Sequence, residues 1–173
     1  GDAIATGFIS SLARPGGNIT GIGALSVELS GKRLELLKQI APRTTRVAVL
    51  WNPANPAGSL GFREIERAAQ QLHVTLQSLP VRSAPEILPA FATLAQERAE
   101  GLIVVTDPLT WVARKEIVEL AGKSRVPAAY ELREYVDMGG FVSYGPSLVG
   151  MSRRVAFFVD RILKGAKPGT LPV

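Results

Sequence analysis

Two short polar turns, each directly after an apolar run, carry the side chains best suited to hold a small molecule. Asn52 and Asn55 follow Val47-Ala48-Val49-Leu50-Trp51, and Asp107 follows Leu102-Ile103-Val104-Val105. The two amides donate and accept hydrogen bonds, while a carboxylate accepts and adds charge, so Asp107 suits a ligand cation such as an ammonium. Each turn contains Pro and runs into a helical pattern. A helix start offers free N–H groups and a positive dipole end, which suits a carboxylate or phosphate. Tyr144, just before Gly145-Pro146, has a ring to stack on a ligand and a hydroxyl to bond it. Each group also has an ordinary structural reading. Asp107-Pro108 makes a good helix cap and first helical residue, residues 52–59 make a capped loop, and Tyr144 can simply pack. Capping and binding are compatible for Asp107, because a carboxylate has several acceptor positions.

No catalytic arrangement accompanies these groups. The chain has no Cys, which excludes disulfides, thiolate catalysis and Cys-ligated metals, and it has a single His. His73 therefore reads as a solvated or capping residue, and no metal is expected. There is no Gly-x-Ser-x-Gly elbow. The turn after Trp51 lacks the Gly-Lys-Ser/Thr of a phosphate loop, and Gly16 to Gly23 has the wrong spacing for a dinucleotide fingerprint. The expectation is a binding protein with no cofactor, not an enzyme.

The elements that must position the two turns alternate regularly. Arg46 to Leu50, Val74 to Leu79, Leu102 to Val105, Ala128 to Tyr130 and Phe141 to Tyr144 read as strands. The intervening helices are Ser59 to Leu72, Pro85 to Arg98 (with Leu88, Phe91 and Leu94 or Ala95 inward) and Leu109 to Ala121, closed by Gly122. A helix opening at Ser30-Gly31 precedes them, with Leu34, Leu37 and Ile40 inward and Lys32, Arg33, Glu35 and Lys38 outside. This alternation implies an α/β fold with a doubly wound parallel sheet, and ligands of such sheets bind beyond the strand carboxyl ends. The flanks fit less well. Ile4 to Leu12 reads as a helix broken at Pro15-Gly16-Gly17, Asn18 to Ile22 as an extended piece, and Leu148 to Lys164 as a helix with Val155, Phe158, Val159 and Ile162 on one face. The central block is therefore expected to be one lobe and the flanks pieces of another.

A length of 173 residues allows a sizeable core. The net charge of +5 is spread over single basic residues on helix faces, not gathered in a stripe with aromatics, so no nucleic-acid partner is expected. No stretch is long enough to span a membrane. The absence of Cys fits an oxidising compartment. The chain opens Gly1-Asp2-Ala3 without Met, so the expectation is that the gene product begins upstream and that localisation signals lie there.

The stretches LARPGGNITGI, SGKRLELLKQIAP, RVAVLWNPANP, the TDP turn, YELREYVDMGGFVSYGPSL and DRILKGAKPGTLPV resemble, in order and over nearly the whole chain, the substrate-binding proteins of bacterial ABC transporters. More narrowly, they resemble the tryptophan/tyrosine type. The resemblance implies a type I periplasmic-binding-protein-like fold, with two α/β lobes closing on a ligand. Residues 1–25 would then end lobe 1 and form a hinge strand, 26–145 would be a complete lobe 2, and 146–173 would cross the hinge and return a helix to lobe 1. It also implies an extracytoplasmic or periplasmic protein that binds a small amino-acid-like or organic-acid solute in an interlobe cleft and delivers it to an ABC permease. The site residues it implies are Asp2 from the first lobe, the turn of Asn52 and Asn55 for a carboxylate, Asp107 for an ammonium, and Tyr144. The Asn52-Pro53-Ala54-Asn55 turn is poorer in hydroxyls than the Ser-bearing turn of aromatic amino acid binders. Without the preceding part of lobe 1, apolar faces at Ile4–Leu12 and Val155–Leu163 would seek another partner, such as a second copy. The other classes with such a fold are the effector domain of a transcription regulator, which a helix-turn-helix upstream would mark, and a flavodoxin-like-fold enzyme, which a tightly bound cofactor would mark.

Overall fold

The computed structural model describes Ile4, residues 7–24 and residues 26–173. Five parallel strands form one sheet: β1 (Arg46–Trp51), β2 (Thr75–Pro80), β3 (Gly101–Val104), β4 (Ala128–Tyr130) and β5 (Val142–Ser143), in the order β2-β1-β3-β4-β5. Strand side chains alternate between faces, so a continuous apolar run buries both. Val47, Val49, Ile103, Val105 and Ala129 pack with Leu34 and Leu37 of α1 (Leu29–Ile40) and with Ile65, Ala68 and Ala69 of α2 (Pro56–Leu72). Ala48, Leu50, Leu102 and Val104 are buried toward the other face. There α3 (Ile87–Gln96) and α5 (Arg114–Ser124) pack on each other and bury Ile87, Phe91, Leu94 and Ile117. The observed fold class is thus the expected one, an α/β protein with helices on both faces of a parallel sheet.

Several elements differ from their sequence reading, each for a local reason. The helix expected over Leu109 to Ala121 is two, α4 (Pro108–Val112) and α5, broken at Ala113; α5 runs past Gly122 and ends at Arg125 in the left-handed region, φ 54°. Pro85 lies in a separate turn of 3-10 helix (Ala84–Glu86), so α3 starts later, and it packs on α5 and β2 through a different face from the one expected. Leu88, expected inside, is 60% exposed, and Ile87, Ala90, Phe91 and Leu94 are buried in its place. A four-residue helix, α6 (Arg133–Val136), precedes β5. Arg33, expected outside on α1, is buried with Ser30, Leu34 and Leu37.

The chain divides into two compact units, residues 26–145 and residues 1–25 with 146–173. The first holds the whole sheet. In the second, no helix forms over residues 7–12, which are turns and bends. The Ser10 hydroxyl donates to the carbonyls of Arg14 and Pro15, at 3.0 Å each, and the Ser10 N–H also bonds Pro15 O. Such short-range side-chain bonds compete with a helix. Residues 18–22 join no ladder; Thr20 Oγ1 donates to Leu171 O at 2.7 Å, and Val173 N–H to Leu12 O at 2.8 Å. The helix α7 (Leu148–Leu163) is capped by Ser147, whose Oγ accepts from Gly150 N–H at 3.1 Å. Of its expected apolar face, Phe158 is buried, while Val155, Val159 and Ile162 are exposed.

Candidate functional site

The strand order decides which turns become neighbours. From β1 the chain crosses to β2 on one side, and β3 then lies on the other side of β1. In a 2-1-3-4-5 sheet this reversal opens a crevice at the carboxyl ends of β1 and β3. Asn52 directly follows β1, and Asp107 follows β3 by three residues. Val105 N–H donates to Leu50 O at 2.9 Å, which carries the pairing of the two strands up to the turns.

The β1 turn is tight. Asn55 N–H donates to Asn52 O at 3.2 Å across Pro53-Ala54, with Pro at the second position, where its fixed φ helps a turn. Asn52 Oδ1 accepts from Ala54 N–H at 2.9 Å, and Asn55 Oδ1 caps α2 by accepting from Ala57 N–H at 3.0 Å. Gly58 packs on this turn so closely that a Cβ there would sit 2.6 Å from Asn52 O. Trp51 anchors the turn from below. Its ring stacks on Phe62 of α2, centroids 4.6 Å apart, and its Nε1 donates to Ser78 Oγ at 2.9 Å.

The Asp107 carboxylate serves both turns. Its Oδ1 accepts from the N–H groups of Leu109 at 2.7 Å and Thr110 at 3.2 Å, and the Thr110 hydroxyl accepts from Asp107 N–H at 2.9 Å. That is a capping box at the start of α4. Its Oδ2 accepts from the side-chain amides of Asn52 at 2.9 Å and Asn55 at 3.3 Å. The residue is only 6% exposed. The cap reading is therefore correct, and the same carboxylate also ties the β3 turn to the β1 turn.

Three of the sequence-designated residues, Asn52, Asn55 and Asp107, are thus bonded into one cluster. Tyr144 follows β5, two strands from β3, or about 10 Å at the usual strand spacing. Its ring is partly exposed, and its N–H donates to Tyr130 O at 2.9 Å. Asp2 lies outside the described residues. Two further polar groups follow the β1 turn. Gly58 N–H and the Ser59 hydroxyl, both in the first turn of α2, make no hydrogen bond to another described residue. Thr110 was not designated, although a Thr three residues after a capping Asp is the sequence signal of a reciprocal cap. Its carbonyl accepts from Tyr135 OH at 3.0 Å, and burial pushes that phenol up to about 12. Among the described residues, no three His, Asp or Glu side chains are grouped so as to hold a metal ion. A hollow of about 460 Å³ lies elsewhere, among Val126, Pro127, Gly140 and Phe141, before β4 and β5.

A family model described as "ABC transporter substrate binding protein" matches residues 1–173. The chain belongs to this ABC transporter substrate-binding protein family. Its similarity to individual members is distant. A tyrosine-binding protein of Clostridioides difficile (strain R20291) is 22% identical over 173 residues, covering 99% of this chain and 49% of that protein. Among solved structures, a conserved domain protein from Vibrio cholerae O1 biovar El Tor superposes with a TM-score of 0.86 at 24% identity, covering 99% of this chain and 57% of that one. An ABC domain from Streptococcus pneumonia in complex with L-Trp superposes with a TM-score of 0.80 at 22% identity, again covering 99% and 57%. These likenesses establish the fold of this family member. The chain spans about half the length of the curated relative it matches.

Proposed function

We propose that this protein is the extracytoplasmic solute-binding component of an ABC transporter. It takes a small amino-acid-like or organic-acid solute at the carboxyl ends of β1 and β3 and passes it to a permease, without chemical conversion. The observation that carries this reading is the hydrogen-bonded cluster of Asn52, Asn55 and Asp107 at the point where the strand order reverses. The family membership and the relatives named for tyrosine and L-Trp support the amino acid class. The ligand carboxylate meets Gly58 N–H and the Ser59 hydroxyl at the positive end of α2. The ligand ammonium meets Asp107 Oδ2 in place of the Asn55 amide, the longer of the two bonds there at 3.3 Å. The displaced amide is then a donor for the same carboxylate. Tyr144 contributes ring contact at the edge of the site.

The test is a calorimetric and thermal-shift screen of the natural protein against amino acids, each paired with its des-amino acid. A ligand that binds only the folded state stabilises it by about 2.7 kcal/mol at a hundredfold excess over Kd. At least one amino acid is expected to bind more tightly than its des-amino partner. Asp107→Ala should abolish that preference, the amino acid losing more affinity than its des-amino partner, whose carboxylate contacts are weakened only through the loosened amides. No binding by any member of the panel, or a preference that survives Asp107→Ala, would overturn the proposal.

A further inference from the structure

Arg33 is 1% exposed and sits on the apolar stripe of α1, between Ser30 and Leu37. Its Nε donates to Tyr144 O at 2.9 Å, its Nη1 to Ser30 Oγ at 3.1 Å and its Nη2 to Ser26 O at 3.3 Å. Nη2 also lies 3.5 Å from Oε2 of Glu131, which is buried as well. The Ser30 hydroxyl in turn donates to Ser26 O at 3.0 Å. Ser26 and Tyr144 are the two ends of this unit. The chain enters it between residues 25 and 26 and leaves it between 145 and 146. One guanidinium thus bonds both the entry and the exit. At the exit the fit is close, since a Cβ on Gly145 would collide with the backbone carbonyl of Glu131.

Stability alone does not account for a buried charge pair at this place. Two ions lose much hydration on burial, and an apolar pair of similar volume often does as well or better. A flat, rigid fork with donors in fixed directions does what apolar packing cannot: it sets the start of α1, at Ser26 and Ser30, against the Tyr144 carbonyl. We propose that Arg33 is a positioning residue that locks the chain's entry into and exit from the 26–145 unit to one another, with Glu131 as its counter-ion. Through Tyr144 O it also fixes the segment that carries the Tyr144 ring. Only this last step rests on the solute-binding reading.

Peptide-level hydrogen exchange on the natural protein, comparing wild type, Arg33→Lys and Arg33→Met, tests the lock without any ligand. Lys keeps the charge facing Glu131 but cannot reach three acceptors at once. Exchange in segments 26–30 and 143–147 should rise together, about tenfold or more, in both variants, while β1 and β3 keep wild-type protection. If Arg33→Met does not fold, Arg33→Lys decides alone. Wild-type exchange in Arg33→Lys, a rise in one segment only, or an equal rise across the sheet would each overturn the lock. Solute affinity, measured in parallel, should fall about tenfold in Arg33→Lys, and unchanged affinity would refute the step through Tyr144. If wild type binds no amino acid in the panel, the solute reading fails by itself and the exchange result still decides the lock.

Discussion

Replacing Asp107 by Asn separates its two roles, because Asn caps a helix as well as Asp does. If capping were its whole purpose, Asp107→Asn would be neutral and Asp107→Ala would cost about 1 kcal/mol. The structure requires another result. Oδ2 accepts from two amides, so an Asn that keeps Oδ1 on Leu109 and Thr110 must aim its own NH2 at those donors. Leaving polar groups unmatched costs about 1–3 kcal/mol each when buried. Asn52 and Asn55 are half-buried, so a loss of about 2 kcal/mol is expected for Asp107→Asn and about 3 kcal/mol for Asp107→Ala. At about 2–4 °C per kcal/mol for a chain of this size, Asp107→Asn should lower Tm by about 4–8 °C. Urea denaturation followed by tryptophan fluorescence reads the right unit, since both tryptophans, Trp51 and Trp111, lie within residues 26–145. Adding Asn52→Asp to Asp107→Asn reverses the 2.9 Å bond and should return about half of the loss, while the clash with Asn55 stays. An Asp107→Asn variant within about 0.5 kcal/mol of wild type would refute the tie between the turns and leave Asp107 a helix cap.

Two titrations test other parts of the fold. The Glu100 carboxylate accepts from the N–H groups of Thr45 and Arg46 and from the Thr45 hydroxyl, which holds its pKa below the ordinary 4.5. A lowered folded value stabilises above 4.5 and is lost as pH falls through it. Wild type should therefore be more stable than Glu100→Gln at pH 7, with the gap closing below pH 4.5 in urea titrations; a constant gap would contradict this. Tyr130 and Tyr135 stack at 4.7 Å, and burial raises both phenols, Tyr135 to about 12. Their contribution is complete below the ordinary value of 10 and is lost as pH rises through the raised folded values, about 12 for Tyr135 and higher for Tyr130. Two of the three phenols should thus ionise only as the fold is lost, seen by absorbance and circular dichroism together; ionisation of both near pH 10 with the fold intact would count against the stacked pair.

The sheet was legible because its central strands are continuous apolar runs. A run such as Leu102-Ile103-Val104-Val105 reads as buried on both faces whatever packs on it. Helix phase was less legible. Ile87 and Leu88 both lie at helical spacing from Phe91, and which of them turns inward is set by packing on α5 and β2, which the local spacing does not encode. Arg33 reads as outside by its charge, although Ser30, Arg33, Leu34 and Leu37 fall at the spacing of one helix face. In the site, Asn52, Asn55 and Asp107 were recognisable from residue type and from their place after strands. Their bonding was not, because it depends on β3 lying beside β1, a non-local pairing that no local pattern encodes. Gly58 had no local signal either, since its need for a missing Cβ comes from the backbone of Asn52.

The order of those bonds gives the site its character. A turn of free amides would have to be organised by the ligand, and the lost side-chain freedom would subtract from affinity by about 0.5–1.5 kcal/mol for each group ordered. Here Asp107 holds both amides before any ligand arrives and is itself ordered by the first N–H groups of α4; under the solute-binding reading the Asn52 amide stays on it and only the Asn55 amide is exchanged. The helix cap is therefore the first link in a chain that ends at the amides facing the crevice. A substitution that weakens the cap without touching Oδ2 should loosen the amides as well. Thr110→Val removes the hydroxyl that accepts from Asp107 N–H and donates toward Val105 O, yet keeps the side-chain shape. Under the solute-binding reading, this variant should bind the same amino acid more weakly although Thr110 is buried and none of the proposed ligand contacts is altered. Equal affinity in Thr110→Val would show that the amides are held by Asp107 alone, independent of the cap beneath it.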